Sequence, residues 1–128
     1  MTRKMATVLA VLAATGFAGV ASAEGDADAG KKVFNKCKAC HMVGDGAKNR
    51  VGPILNGIAG ATAGAVADFK YSDAMMAKGA EGLVWTDENL AAYLEKPKDF
   101  IPGNKMTFAG LKKEDDRANV IAYLKTFP

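Results

Sequence analysis

Cys37, Lys38, Ala39, Cys40 and His41 read C-x-x-C-H. Two thiols at this spacing, followed at once by an imidazole, form the attachment signature of c-type haem. Two thioethers can bind the two vinyl groups on one porphyrin edge, and the adjoining His41 then lies under the ring as the proximal iron ligand. These are the chain's two cysteines and its one histidine. A thioredoxin-like dithiol uses the same pair but belongs in a βαβ context, which is absent here. Half of a zinc site would need a second pair of ligands, and the sequence has none. Covalent haem is the reading that employs all three side chains.

A second axial ligand follows by elimination. With one histidine, a bis-histidine iron is impossible, as are Cys2His2 zinc fingers and H-E-x-x-H metalloproteases. Met42 adjoins His41 and does not reach the opposite face. Met75 and Met76 fall in a helix expected after Ser72, where packing explains them. Met106 lies in Pro102-Gly103-Asn104-Lys105-Met106, an extended loop that can carry a thioether across the ring. The sequence favours Met106. Soft sulfur favours ferrous iron and raises the reduction potential relative to a second imidazole. Two filled axial positions disfavour substrate or gas binding and favour electron transfer without bond making.

The remaining residues set the context. The 128 residues carry 17 basic and 14 acidic side chains, a formal charge of +3. At 24% charged and 49% apolar, the chain is neither a disordered tail nor a collagen-like or disulfide-scaffold sequence. Arg3 and Lys4, the uncharged stretch from Ala6 to Val20, and Ala21-Ser22-Ala23 have the layout of a secretory signal peptide. As a helix the apolar stretch would span roughly 22 Å, short of the ~30 Å hydrocarbon core, so a leader fits better than an anchor. Residues 1–23 are therefore expected to be removed, leaving 24–128 as one domain without a membrane span. The leader takes two basic residues with it, leaving 15 against 14. So small an excess speaks against nucleic-acid binding.

The mature segment reads as all-α with long loops. Asp26 or Asp28 can cap a first helix running to about Lys38. Ser72 can cap another to about Lys78, which Gly79 would end. Thr86 caps a third, with Leu90, Tyr93 and Leu94 on one face, and Pro97 ends it. The last is expected from about Lys113 to Thr126. Between His41 and Tyr71, glycines at 44, 46, 52, 57, 60 and 64 and Pro53 mark long irregular chain. About 30 residues of loop is more than a compact domain usually carries. A large buried cofactor would fill such a centre.

With these residues in hand, the chain resembles the class I c-type cytochromes, and within them the small bacterial cytochrome c2 group. The resemblance covers residues 25–128. It rests on Gly30 and Phe34 before C-x-x-C-H, then Gly52-Pro53, Phe69-x-Tyr71, Trp85, Tyr93-Leu94-x-x-Pro97, Ile101-Pro102-Gly103-x-Lys105-Met106-x-Phe108-Ala109-Gly110, and Ile121-Ala122-Tyr123-Leu124. It implies helices and long loops wrapped around one covalently attached haem c. It also implies roles. The Pro53 carbonyl would accept the second ring N–H of His41. Tyr71 and Trp85 would bond a haem propionate. Tyr93 would donate towards the Met106 sulfur, and Phe108 would shield the haem edge. Gly30, Phe34, Val120 and Tyr123 would form the crossing of the first and last helices. Three positions depart from the common pattern: Ala61 replaces an arginine near a propionate, Met75 an asparagine near a buried water, and Asn49 a histidine of animal members.

Lys36, Lys38, Lys98, Lys105, Lys112 and Lys113 lie near these motifs, and the resemblance implies that they ring an exposed haem edge. Asp99 and Glu114-Asp115-Asp116 interrupt the pattern. Clustered lysines steer acidic partners quickly without tight binding. The implied function is a monomeric, diffusible one-electron carrier of the bacterial periplasm, not an enzyme. It would take electrons from a quinol–cytochrome c oxidoreductase and pass them to a photosynthetic reaction centre, a terminal oxidase, or both. A dedicated electron-transfer subunit of a periplasmic dehydrogenase or reductase is the alternative. A peroxidase needs an open iron face and a distal acid–base group, and the one histidine is already used. The early C-x-x-C-H and the Met106 loop speak against a gas sensor.

Overall fold

The computed structural model describes residues 25–128; the expected leader at 1–23 lies outside the described residues. Five helices follow in order: α1 (Ala27–Phe34), α2 (Asp73–Ala80), α3 (Asp87–Glu95), α4 (Pro97–Phe100) and α5 (Glu114–Leu124). Among the described residues there is no strand, and one isolated bridge joins Thr62 to Val84. The all-α expectation holds. Among the described residues, no helix is long and apolar enough to cross a membrane.

The helix starts follow from capping chemistry. Asp26, Ser72 and Thr86 each accept a backbone N–H of the first turn with a side-chain oxygen, which satisfies one orphan donor of each helix. Glu114, Asp115 and Asp116 fill the first turn of α5, where negative charge suits the helix dipole.

Several ends differ from expectation. Helix α1 stops at Phe34 rather than Lys38, and the chain passes through tight turns to Cys40. Helix α5 is also shorter, ending at Leu124. Gly79 does not end α2, which runs on to Ala80. A Cβ at Gly79 would strike the Ala63 carbonyl, so this glycine permits a close backbone approach. The terminator is Gly82, at φ 93°. Its N–H donates to the Gly79 carbonyl at 3.0 Å and the Leu83 N–H to the Lys78 carbonyl at 3.0 Å, the paired bonds of a Schellman motif. Pro97 ends α3 but also opens α4, because its fixed φ and missing N–H suit a first helical turn.

Helices α1 and α5 cross closely. A Cβ at Gly30 would collide with the Asn119 carbonyl and lie 2.8 Å from the Tyr123 Cβ, so only glycine lets the backbones meet. Phe34 packs on Tyr123 with ring centroids 5.5 Å apart. The buried residues form two clusters rather than one. Phe34, Leu111, Val120 and Leu124 make one, with Cys37 and Phe108 against it. Ala63, Met75, Trp85, Leu90, Tyr93, Ile101 and Ile121 make the other, with Met106 against it. Ile58 and Leu94 touch both.

The long segment from His41 to Tyr71 is ordered by side-chain amides. Asn56 accepts from the Gly44 N–H at 2.8 Å and donates to the Gly44 carbonyl at 3.0 Å. Asn49 accepts from the Ile54 N–H at 2.9 Å and donates to the Ala67 carbonyl at 2.9 Å. These bonds do for loops what ladders do for sheets, giving backbone groups partners.

Candidate haem site

The site begins in the turn after α1. The His41 N–H donates to the Cys37 carbonyl at 2.9 Å and the Cys40 N–H to the same carbonyl at 3.1 Å. One helical turn therefore presents both thiols and the imidazole together. Cys37 and Cys40 are each partly buried and free. Burial pushes the Cys37 thiol above its ordinary pKa, the Cys40 sulfur adds to this, and Lys36 opposes it.

The His41 ring has its orientation set by the chain. Its Nδ1 lies 2.7 Å from the Pro53 carbonyl oxygen. A carbonyl only accepts, so Nδ1 carries the proton and Nε2 keeps its lone pair. Burial lowers the imidazole pKa, and the bond to Pro53 pushes back less strongly. The neutral form, with a lone pair to offer a metal, is favoured. Gly52 lies against this ring: a Cβ there would sit 2.7 Å from Nδ1 and 2.8 Å from Nε2. The Gly52 N–H is held by the Cys40 carbonyl at 2.9 Å, so this cradle is fixed by the attachment turn itself.

The loop after α4 carries Met106. The Tyr93 hydroxyl donates to the Met106 sulfur at 3.9 Å. Burial drives the Tyr93 phenol up to about 12, so it remains a donor at neutral pH. The Met106 N–H donates to the Asn104 side-chain oxygen at 2.8 Å. Tyr93 also meets Trp85, with centroids 5.0 Å apart, and Phe100 at 6.2 Å.

The remaining residues singled out in the sequence take definite places. The Tyr71 hydroxyl accepts from the Val66 N–H at 3.0 Å, and its own proton is left to donate elsewhere. Burial raises its pKa, against the lowering pull of that bond. Trp85 is buried, with its backbone tied to Ala61 and Gly60 at 2.8 Å each. Phe108 is half-buried against the cluster that Cys37 also touches. Met75 is buried among Trp85, Leu90 and Tyr93. Lys36, Lys38, Lys98, Lys105, Lys112 and Lys113 are all exposed, and none forms an ion pair among the described residues. Lys98 is distinct, because its ammonium donates to the Asn104 carbonyl.

Sequence reasoning missed two contributors. Gly52 appeared only as a motif residue, yet its lack of a side chain makes room for the imidazole. Asn104 sits in a Pro-Gly loop, where asparagine ordinarily reads as a turn former. Nothing in its neighbours announces that its amide is buried.

The donor set suits a covalently attached haem: two thiols on one turn, an imidazole with Nε2 available, and a thioether on a separate loop. The family model described as cytochrome c matches residues 27–128. A cytochrome c2 of Afifella marina is 58% identical over 99 residues, which is 77% of this chain and 80% of the relative. A cytochrome c2 of Agrobacterium tumefaciens (strain II Chrys) is 54% identical over 101 residues, or 79% and 91%. The solved cytochrome c2 from Rhodospirillum centenum superposes with a TM-score of 0.77 at 43% identity, covering 80% of this chain and 98% of that one. Cytochrome cH from Methylobacterium extorquens gives 0.73 at 44% identity, covering 80% and 99%. A match that spans nearly all the described residues, at such identities and over the full length of solved relatives, places the chain in the cytochrome c family, with the class I fold, one covalent haem c, and the role of electron carrier rather than enzyme.

Proposed function

We propose that this chain is a diffusible one-electron shuttle of the bacterial periplasm. Residues 1–23 are the cleaved leader and 24–128 the working monomer. It accepts electrons from a membrane quinol–cytochrome c oxidoreductase and delivers them to a photosynthetic reaction centre, a terminal oxidase, or both. When bound, the haem supplies an iron that gains and loses one electron. Cys37 and Cys40 would hold it through thioethers, and His41 and Met106 would ligate its iron.

The observation that carries this reading is the pairing of both ligand side chains with second partners. Pro53 at 2.7 Å fixes the His41 tautomer, and Tyr93 at 3.9 Å addresses the Met106 sulfur. Partners of this kind orient ligands and tune their basicity. With both ligands held in place, little rearrangement is needed between oxidation states. Tyr71 and Trp85 would bond a propionate, and Phe108 would shield the haem. Lys36, Lys38, Lys98, Lys105, Lys112 and Lys113 receive the acidic faces of the membrane complexes transiently.

Absorption spectra of oxidised and reduced protein test the ligands. Low-spin haem with sulfur ligation is expected. In the reduced state, carbon monoxide should bind Met106→Ala far more readily than the unmodified protein. Equal binding would show that Met106 is not a ligand. Association with an acidic redox partner should slow as ionic strength rises, and a rate indifferent to salt would refute the steering role of the lysines.

A further inference from the structure

Asn104 and Ser72 are the buried polar residues among those described, and Asn104 is only 4% exposed. Pro102, Gly103 and Lys105 around it are exposed, so one buried amide sits inside an exposed loop. Ser72 caps a helix, which explains its burial. Asn104 begins no helix; its side chain serves the end of α4. Its Nδ2 donates to the Pro97 carbonyl at 2.8 Å and to the Ile101 carbonyl at 2.8 Å. Its Oδ1 accepts the Met106 N–H at 2.8 Å. Its own N–H donates to the Ile101 carbonyl at 3.2 Å, and its carbonyl accepts from Lys98.

We propose that Asn104 is the positioning residue for Met106, a role that rests on Met106 being the iron ligand. Its carboxamide staples the Met106 backbone to the short helix α4. One end grips the first residue of α4 and the residue just past its last. The other end holds the Met106 amide, in the one side-chain hydrogen bond to the Met106 backbone among the described residues. The loop from Ile101 to Lys113 has no regular structure to hold a ligand still. An unrestrained loop gains conformational entropy whenever it moves away. The staple opposes that gain at the residue where displacement would remove the sulfur.

Residue chemistry explains why an amide serves. The position demands two donors and an acceptor at once, which asparagine supplies. An ionised aspartate accepts from Met106 but sets negative charge against the Pro97 and Ile101 carbonyls. Alanine supplies neither end.

Imidazole titration of the oxidised holoprotein tests this, because an external ligand binds only when Met106 has left. Its apparent affinity scales with the population of that open state. Asn104→Ala and Asn104→Asp should each raise imidazole affinity about tenfold and weaken the sulfur-to-iron absorption band. Asn104→Asp keeps the size of the side chain and serves if the alanine variant fails to fold. Val120→Ala, in the cluster that Met106 does not touch, is the control for general destabilisation. It should lower the denaturation midpoint while leaving imidazole affinity within about twofold. If the Asn104 variants titrate like unmodified protein, or no differently from Val120→Ala, the proposal is overturned. Met106→Ala separates the two levels. If it abolishes the band while the Asn104 variants do nothing, only the role of Asn104 falls. If the band survives in Met106→Ala, the ligand assignment fails and this proposal with it.

Discussion

His41 Nδ1 and the Pro53 carbonyl oxygen lie 2.7 Å apart, and Gly52, one residue earlier, lies against the same imidazole. The dipeptide thus orients the ring with one residue and makes room for it with the other. Gly52→Ala would place a Cβ under 3 Å from both ring nitrogens, while its backbone stays tied to Cys40. Overpacking of this kind costs about 1–3 kcal/mol. Denaturant unfolding of the holoprotein should show that loss, and a variant as stable as the original would mean the ring moves aside freely.

Tyr93 offers a tuning prediction. With Met106 as the proposed iron ligand, a hydrogen bond to its sulfur withdraws electron density and so favours reduced over oxidised iron. Tyr93→Phe should lower the reduction potential by on the order of tens of millivolts. Because burial lifts the phenol to about 12, the donor is intact well above neutrality. The shift should therefore be the same at pH 6 and pH 9, as potentiometric titration can establish.

The lysines differ in what a charge reversal should do. Lys105 is exposed and unpaired, whereas Lys125 already meets Asp87 at 2.5 Å. Lys105→Glu should slow association with an acidic redox partner roughly two- to tenfold at low salt, with the difference vanishing at high salt. Lys125→Glu should leave the rate nearly unchanged. Stopped-flow measurements across ionic strength decide between them.

Asn49 bridges two stretches of the long loop through Ile54 and Ala67. Asn49→Ala removes both bonds and leaves a partly buried N–H and a carbonyl without them. A loss of about 1–3 kcal/mol is expected on chemical denaturation. Proteolysis near residues 66–69 should also become faster, since Ala67 loses its tie to Asn49.

Much of the architecture was legible because capping and patterning are local. Asp26, Ser72 and Thr86 stand in the sequence as caps, and they are caps in the fold. Where neighbouring residues do not decide the outcome, the reading failed. Gly79 looks like a helix stop, but the Ala63 backbone across from it sets its role. Pro97 stops one helix and starts another, and its own chemistry permits both. The attachment turn was plain from five consecutive residues. The Asn104 staple was not, since its partners are carbonyls, which every residue carries. Side-chain bonds to backbone leave no trace in residue type at the other end.

The close crossing at Gly30 has a bearing on how the chain is made. Helix α1 has eight residues, too few to persist alone, and its Phe34 is buried by Val120 and Leu124. The Asp26 N–H likewise finds its partner in Asn119, 93 residues further on. During synthesis the beginning of the chain therefore waits for its end. The helix that leads into Cys37 and Cys40 gains its packing partners only with residues 111–124. The cluster that Cys37 packs against is thus completed by both ends of the described chain.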